Sequence, residues 1–148
     1  MPDEASFEAS VIADMRAHGG AVTKGPLRGH PILIMTSTGA RSREPRRALL
    51  TYSRDGGDHI VAGTAGGSPI DPAWLHNIGA DPAVTIELDD RTYDATARAV
   101  TDGDERDRLW AQHVATLPWF AAYPEQTGRT IPMVRITIRT EATGPDDG

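Results

Sequence analysis

Cysteine is absent from the 148-residue chain, which removes disulfides, thiolate metal sites and cysteine nucleophiles together. No apolar run approaches the length of a membrane span, and the opening MPDEASFEAS is acidic where a signal sequence is basic and then apolar. A soluble, cytoplasmic protein is expected. Neither a Walker nor a Rossmann glycine spacing occurs, which removes the commonest nucleotide-binding signatures. The five histidines, His18, His30, His59, His76 and His113, show no ligand spacing and no paired carboxylate, so each reads as a surface or helix-face residue and no metal site is expected. Ser68 in GGSPI lacks the second glycine of a nucleophile elbow. A net charge of -6 and a pI near 5.3 argue against general nucleic-acid binding. With so few catalytic constellations, an enzymatic reading needs a bound cofactor to carry the chemistry.

Against that acidic background, Thr36 to Arg47 (TSTGARSREPRR) places Arg41, Arg43, Arg46 and Arg47 within seven residues. The preceding HPILIMTS is a short apolar, β-branched run that reads as a strand delivering a glycine-containing loop. Such a loop offers converging N–H groups, the hydroxyls of Thr36, Thr38 and Ser42, and guanidinium forks, which together suit a phosphate. A solvated hairpin tip carrying charges has the same local pattern.

One domain with one core is expected at this length, without repeats or low-complexity tracts. Residues 1–20 form an N-terminal amphipathic helix, with Phe7, Val11, Ile12 and Met15 at helical spacing and Gly19-Gly20 as its stop. That helix packs on the body or, more weakly, docks at a membrane interface, which flanking acidic residues disfavour. Residues 21–139 carry about six strands: 30–37, 47–53, 59–63, 83–88, 91–100 and 131–139. The second and third flank the hairpin signal Arg54-Asp55-Gly56-Gly57-Asp58. Thr64 to Pro69 is a glycine-rich loop, followed by Asp71 as N-cap, Pro72 at the first helical position and a short helix to Ile78. On it Trp74, Asn77 and Ile78 share a face and Leu75 points away. Its N-terminus is a second candidate anion or cofactor-edge site, with an aromatic core anchor as the alternative role of Trp74. Thr101 to Asp104 has the shape of a capping box before a long helix to Leu117, on which Leu109, Trp110, His113, Val114 and Leu117 recur at helical spacing. Pro118 to Pro124 is an aromatic helical turn, and 140–148 is a disordered tail. Antiparallel hairpins with inserted helices give a mainly β, α+β fold: a small closed or half-closed barrel with helical decoration.

Taken in order, TSTGARSREPRR, RDGGDHIVAGTAGGSPIDPAWLHNIGADP and the aromatic segment ahead of TGRTIPMVRI resemble the deazaflavin-dependent nitroreductase family of actinobacteria, split β-barrel proteins of FMN-binding-like fold that bind coenzyme F-420. The resemblance spans about Gly29 to Ile138. It implies that Thr38, Gly39, Arg41, Ser42 and Arg46 grip the phosphate and polyglutamate end of the cofactor, with Arg43 standing where the family loop has glycine. It implies that Ala65, Gly66, Gly67, Pro72, Trp74 and Asn77 lie along the deazaflavin ring and its side chain. Leu117, Phe120 and Tyr123 would line the substrate side, with Tyr123 or solvent giving a proton. The implied activity is hydride delivery from reduced cofactor to an electron-poor nitro compound, quinone or enone, in a monomer or homodimer. The alternatives are an FMN-dependent reductase on the same fold and a non-catalytic binder of deazaflavin or an apolar ligand.

Overall fold

The computed structural model describes residues 4–25, 27–64, 72–89, 91–124, 128 and 130–141, of which 4–7 and 141 are described by backbone alone. A helix α1 (Glu4–Ala17) precedes a strand β1 (Ile32–Thr38), which turns back into β2 (Pro45–Thr51). Then come β3 (Ser53–Asp55), β4 (Asp58–Ala62), α2 (Ala73–Ala80), β5 (Ala83–Leu88), β6 (Arg91–Val100), α3 (Gly103–Thr116), a 3-10 helix (Pro118–Ala122) and β7 (Met133–Glu141). The strands form one antiparallel sheet in the order β2-β1-β5-β6-β7-β4-β3.

The two edge strands of that sheet, β2 and β3, are consecutive in sequence with only Tyr52 between them. One continuous segment therefore serves both edges, and the sheet curls into a half-barrel whose seam lies at this corner. The Tyr52 N–H donates to the Pro31 carbonyl at 2.9 Å, and its ring packs on the barrel interior. Seven strands replace the expected six because this run is divided there, at a position with no turn residue to mark it.

Uninterrupted runs such as ILIM are explained by burial on both faces of the strand. Leu33 and Met35 point into the barrel, where they meet Val61, Ile86, Val134 and Ile136. Ile32 and Ile34 point outward and are covered by Val11, Ile12 and Met15 of α1. On the other outer face Ile60, Ala62 and Met133 are covered by Leu109, Leu117 and Phe120. The connection after α1 is held by buried Asp14, whose carboxylate accepts the Thr23 N–H at 2.7 Å and hydroxyl at 2.6 Å. Arg16 of α1 pairs with Glu87 of β5 at 2.8 Å. No described helix is long and apolar enough to cross a membrane.

Several local expectations are corrected. Helix α2 begins at Ala73 with Pro72 as its N-cap, and Leu75 is buried inside the barrel beside Ile78 and Asn77, while Trp74 stands half-buried at the rim. Asp71 lies outside the described residues. No capping box forms before α3: Asp102 is the N-cap in extended conformation and its side chain makes no cap bond. Plain alternation over 91–100 puts Tyr93, Ala95, Ala97 and Ala99 on one face, but on β6 Ala95, Ala97 and Val100 are buried and Ala99 is exposed. Strand β7 starts after Pro132 and continues through Thr140 and Glu141, which pair with Asp94 and Tyr93; the expected tail thus contributes two residues to the sheet. Residues 142–148 lie outside the described ones.

Candidate active site

The β1–β2 connection is a tight hairpin loop. Gly39 N–H donates to the Glu44 carbonyl at 2.8 Å and Arg43 N–H to the Gly39 carbonyl at 2.9 Å. A side chain at Gly39 would meet Ser42 Oγ at 2.5 Å, so close approach requires glycine there. Arg43 takes the left-handed region, with φ of 62°, which is where a glycine sits without strain. Within the loop Ser42 Oγ accepts from the Glu44 N–H at 3.1 Å and from Arg46 Nη2 at 3.2 Å.

The hairpin divides the arginines between two faces. Arg41, Arg46 and Arg47, with Gly39, Ala40 and Ser42, line one side of a cavity of about 770 Å³; Trp74, His76 and Asn77 of α2 line the other. Arg43 and Thr38 instead line a separate cavity of about 530 Å³ between β1, β5 and β6. The cluster is therefore a three-arginine wall with a fourth arginine turned elsewhere. Asn77 joins the two walls: its Oδ1 accepts the Ala40 N–H at 3.0 Å and its Nδ2 reaches Ser37 Oγ at 3.4 Å. Its amide positions the loop from a buried site, and Pro72 starts the helix without lining the cavity.

Arg47, Ala48 and Trp74 also line a second cavity of about 360 Å³, so the two adjoin at these residues. This second chamber is walled by Leu49 and Leu50 of β2 and by Trp119, Phe120 and Tyr123, with Glu8 of α1 and His30 at its margin. The rings of the aromatic segment brace one another, Phe120 and Tyr123 edge-to-face at 5.3 Å. Leu117 is buried in the cluster beneath α3 and faces a shallow cavity on the opposite side of Trp119. Ala65, Gly66 and Gly67 lie outside the described residues. Arg47, His30 and Trp119 are cavity-lining residues beyond the expected set; Arg47 and Trp119 adjoin expected members in sequence, whereas His30 carries no local signal.

Two histidines, each read from the sequence as a surface or helix-face residue, are buried. His113 is fully enclosed under Phe120, against which its ring packs edge-to-face at 4.5 Å, and its Nδ1 shares a 2.6 Å hydrogen bond with Ser53 Oγ. Ser53 Oγ also accepts from Gln112 Nε2 at 2.7 Å. Burial lowers the His113 pKa to about 4, which keeps the imidazole neutral. His59 is lowered too, by burial first and then by Arg54. Neither lines the joined cavities.

A groove with three guanidinium groups at one end and aromatic walls at the other has the donor set for an elongated ligand with an anionic end and an apolar ring. Among the described residues no carboxylate pairs with Arg41, Arg46 or Arg47, so their charge is available to such a ligand. Residues 9–138 match the F420H(2)-dependent quinone reductase family. The chain belongs to that family. It is a reductase that uses coenzyme F-420. An F420H(2)-dependent quinone reductase of Mycobacterium tuberculosis is 35% identical over 111 residues, which is 74% of each chain. Among solved structures, an F420-H2 dependent reductase is 34% identical with a TM-score of 0.64, covering 72% of this chain and 93% of its own. A chain solved as a domain-swapped dimer is 28% identical with a TM-score of 0.67, covering 90% and 99%. The half-barrel is thus the split-barrel fold of these reductases.

Proposed function

We propose that coenzyme F-420 lies along the joined cavities, its acidic end on Arg41, Arg46 and Arg47 and its ring between Trp74 and the aromatic wall, and that the acceptor is a quinone. The observation that carries this reading is that the arginine-lined and the aromatic cavities share Arg47, Ala48 and Trp74 as a common wall. When bound, the coenzyme supplies a two-electron hydride donor. The chain's own residues bind, orient and exclude water. The guanidinium groups form charge-assisted hydrogen bonds to phosphate and carboxylate oxygens. Asn77 holds the loop at the Ala40 N–H, and Ser42 accepts from one arm of the Arg46 guanidinium. Leu49, Leu50, Trp119, Phe120 and Tyr123 give the chamber its apolar wall, and Glu8, His30, Arg47, Thr51 and Thr64 its polar groups, a mixed lining that suits a ring bearing carbonyl oxygens. Thr38 and Leu117 take no direct part in this reading, since both face away from the groove. The neighbour solved as a domain-swapped dimer supports a homodimer.

The experiment is a titration with oxidised coenzyme F-420, followed by tryptophan fluorescence in the wild type and in Trp74→Phe, and then turnover with a naphthoquinone, a nitroaromatic and a cyclic enone. Quenching that is reduced in Trp74→Phe, with Trp119 giving the remainder, and the highest kcat/KM with the quinone are expected. Full quenching in Trp74→Phe would move the ring away from α2, and a nitroaromatic or enone preference would overturn the acceptor.

A further inference from the structure

We propose that His30 is the proton donor to the reduced acceptor, a role that rests on the groove reading above. Among the described residues, the groups lining the aromatic chamber that carry titratable protons or charge are Glu8 from α1, Arg47 from β2, Tyr123 after the 3-10 helix, and His30. Arg28, from the turn before His30, lines the shallow cavity on its other side. A carboxylate at neutral pH has no proton to give, a guanidinium does not release one, and a phenol is a weak acid there. Imidazole is the side chain whose proton exchanges near neutrality, where general-acid efficiency is greatest.

The backbone presents this imidazole in a fixed place. The His30 N–H donates to the Leu27 carbonyl at 3.0 Å, and the Gly29 N–H to the Val22 carbonyl at 3.1 Å, in a turn that Gly29 permits with φ of 78°. Pro31 then restricts residue 30 to extended conformations. The ring stands edge-to-face on Trp119 at 4.6 Å. Its Nδ1 is buried, and no hydrogen bond engages either ring nitrogen among the described residues, so Nε2 is the nitrogen left for an acceptor oxygen. Other histidines are committed elsewhere: His113 binds Ser53, and His18 binds Asp14.

The step balances as follows. A hydride brings two electrons and one hydrogen to the quinone, the oxygen that gains the negative charge takes the proton from imidazolium Nε2, and hydroquinone results. The coenzyme is the species oxidised, and its released ring proton passes to water, from which His30 is reprotonated.

The test compares wild type, His30→Gln and Tyr123→Phe with 1,4-naphthoquinone at saturating reduced coenzyme from pH 5 to 9. In wild type kcat/KM falls as pH rises through the imidazole range. His30→Gln lowers kcat about 100-fold at pH 6 and abolishes that fall, with coenzyme affinity within threefold of wild type. Tyr123→Phe keeps the fall. A readout free of turnover uses the ring 15N–1H signals of the wild-type protein, with His30 assigned by its loss in His30→Gln or His30→Asn. Adding 1,4-dihydroxynaphthalene to the protein bearing oxidised coenzyme shifts the His30 signals and their titration midpoint. An unchanged pH limb in His30→Gln, loss of the limb in Tyr123→Phe, or unmoved His30 signals would each overturn the proposal while leaving the groove reading intact. Failure of the wild type to bind the coenzyme would overturn the groove reading itself.

Discussion

Two sets of arginines on this barrel meet opposite fates. Arg135 on β7 is 15% exposed at its side chain and binds Asp58 at 2.7 Å, Asp55 at 2.8 Å and Glu105 at 3.2 Å. Arg108 and Arg98 complete the network on Asp55 and Glu105, at 2.9 and 2.8 Å. Around the other end of the sheet, Arg41, Arg46 and Arg47 stand exposed along a cavity with no carboxylate partner among the described residues. The first set ties α3 to β3, β4, β6 and β7; the second is the set we propose for the coenzyme. In an acidic protein with 21 Asp and Glu residues, the lack of a carboxylate partner for these three cations among the described residues, more than their exposure, distinguishes them from the Arg135 set.

The sharpest way to break the contrast is to remove a member of the paired set. Arg135→Met leaves Asp55, Asp58 and Glu105 facing one another, and is expected to cost about 2 to 3 kcal/mol by urea denaturation, with coenzyme affinity preserved in the folded fraction. A stability change below about 0.5 kcal/mol would make the network ornamental.

Acid titration resolves the buried histidines from that same network. The folded pKa of His113 is lowered to about 4, so between about 6.5 and 4 the unfolded chain takes up a proton that the folded chain refuses. Stability is full above that window and falls by about 3 kcal/mol on its way through, with His59 adding in the same direction. Below the ordinary carboxylate range a second loss follows, because Asp55 is held low by Arg108 and then Arg135, and Glu105 chiefly by Arg98. Stability curves from pH 8 to 3 should show both stages, and His113→Phe should flatten the first.

Smaller effects are expected at the loop. Asn77→Ala removes the acceptor for the Ala40 N–H and is expected to cost about 1 kcal/mol in stability and about fivefold in coenzyme affinity, measured by melting and by fluorescence titration. Arg43→Gly relieves a left-handed arginine and should raise stability by up to about 1 kcal/mol, with affinity within twofold because Arg43 faces the other cavity.

Much of this architecture was legible because strand alternation, glycine turns and the arginine cluster are local signals. The barrel corner was not: Tyr52 divides the strand expected over 47–53 through a bond to Pro31, a tertiary contact without a turn residue. On α2 a spacing of three or four residues groups side chains but cannot say which group faces inward, and Leu75 with Ile78 took the interior. His113 does stand at helical spacing between Leu109 and Leu117, so its burial was written in the pattern even though its residue type argued for the surface. The division of the arginines between two faces depends on the loop's internal bonds and on Arg43 in the left-handed region, which spacing alone does not encode.

The most direct measurement is the affinity of Arg41→Ala/Arg46→Ala for oxidised coenzyme F-420, taken beside its melting temperature. Affinity lower by about 2 to 4 kcal/mol with unchanged melting, and a wild-type affinity that weakens as salt is raised, is the predicted result. Wild-type affinity in the double variant would contradict the account and return the arginine loop to a solvated hairpin tip.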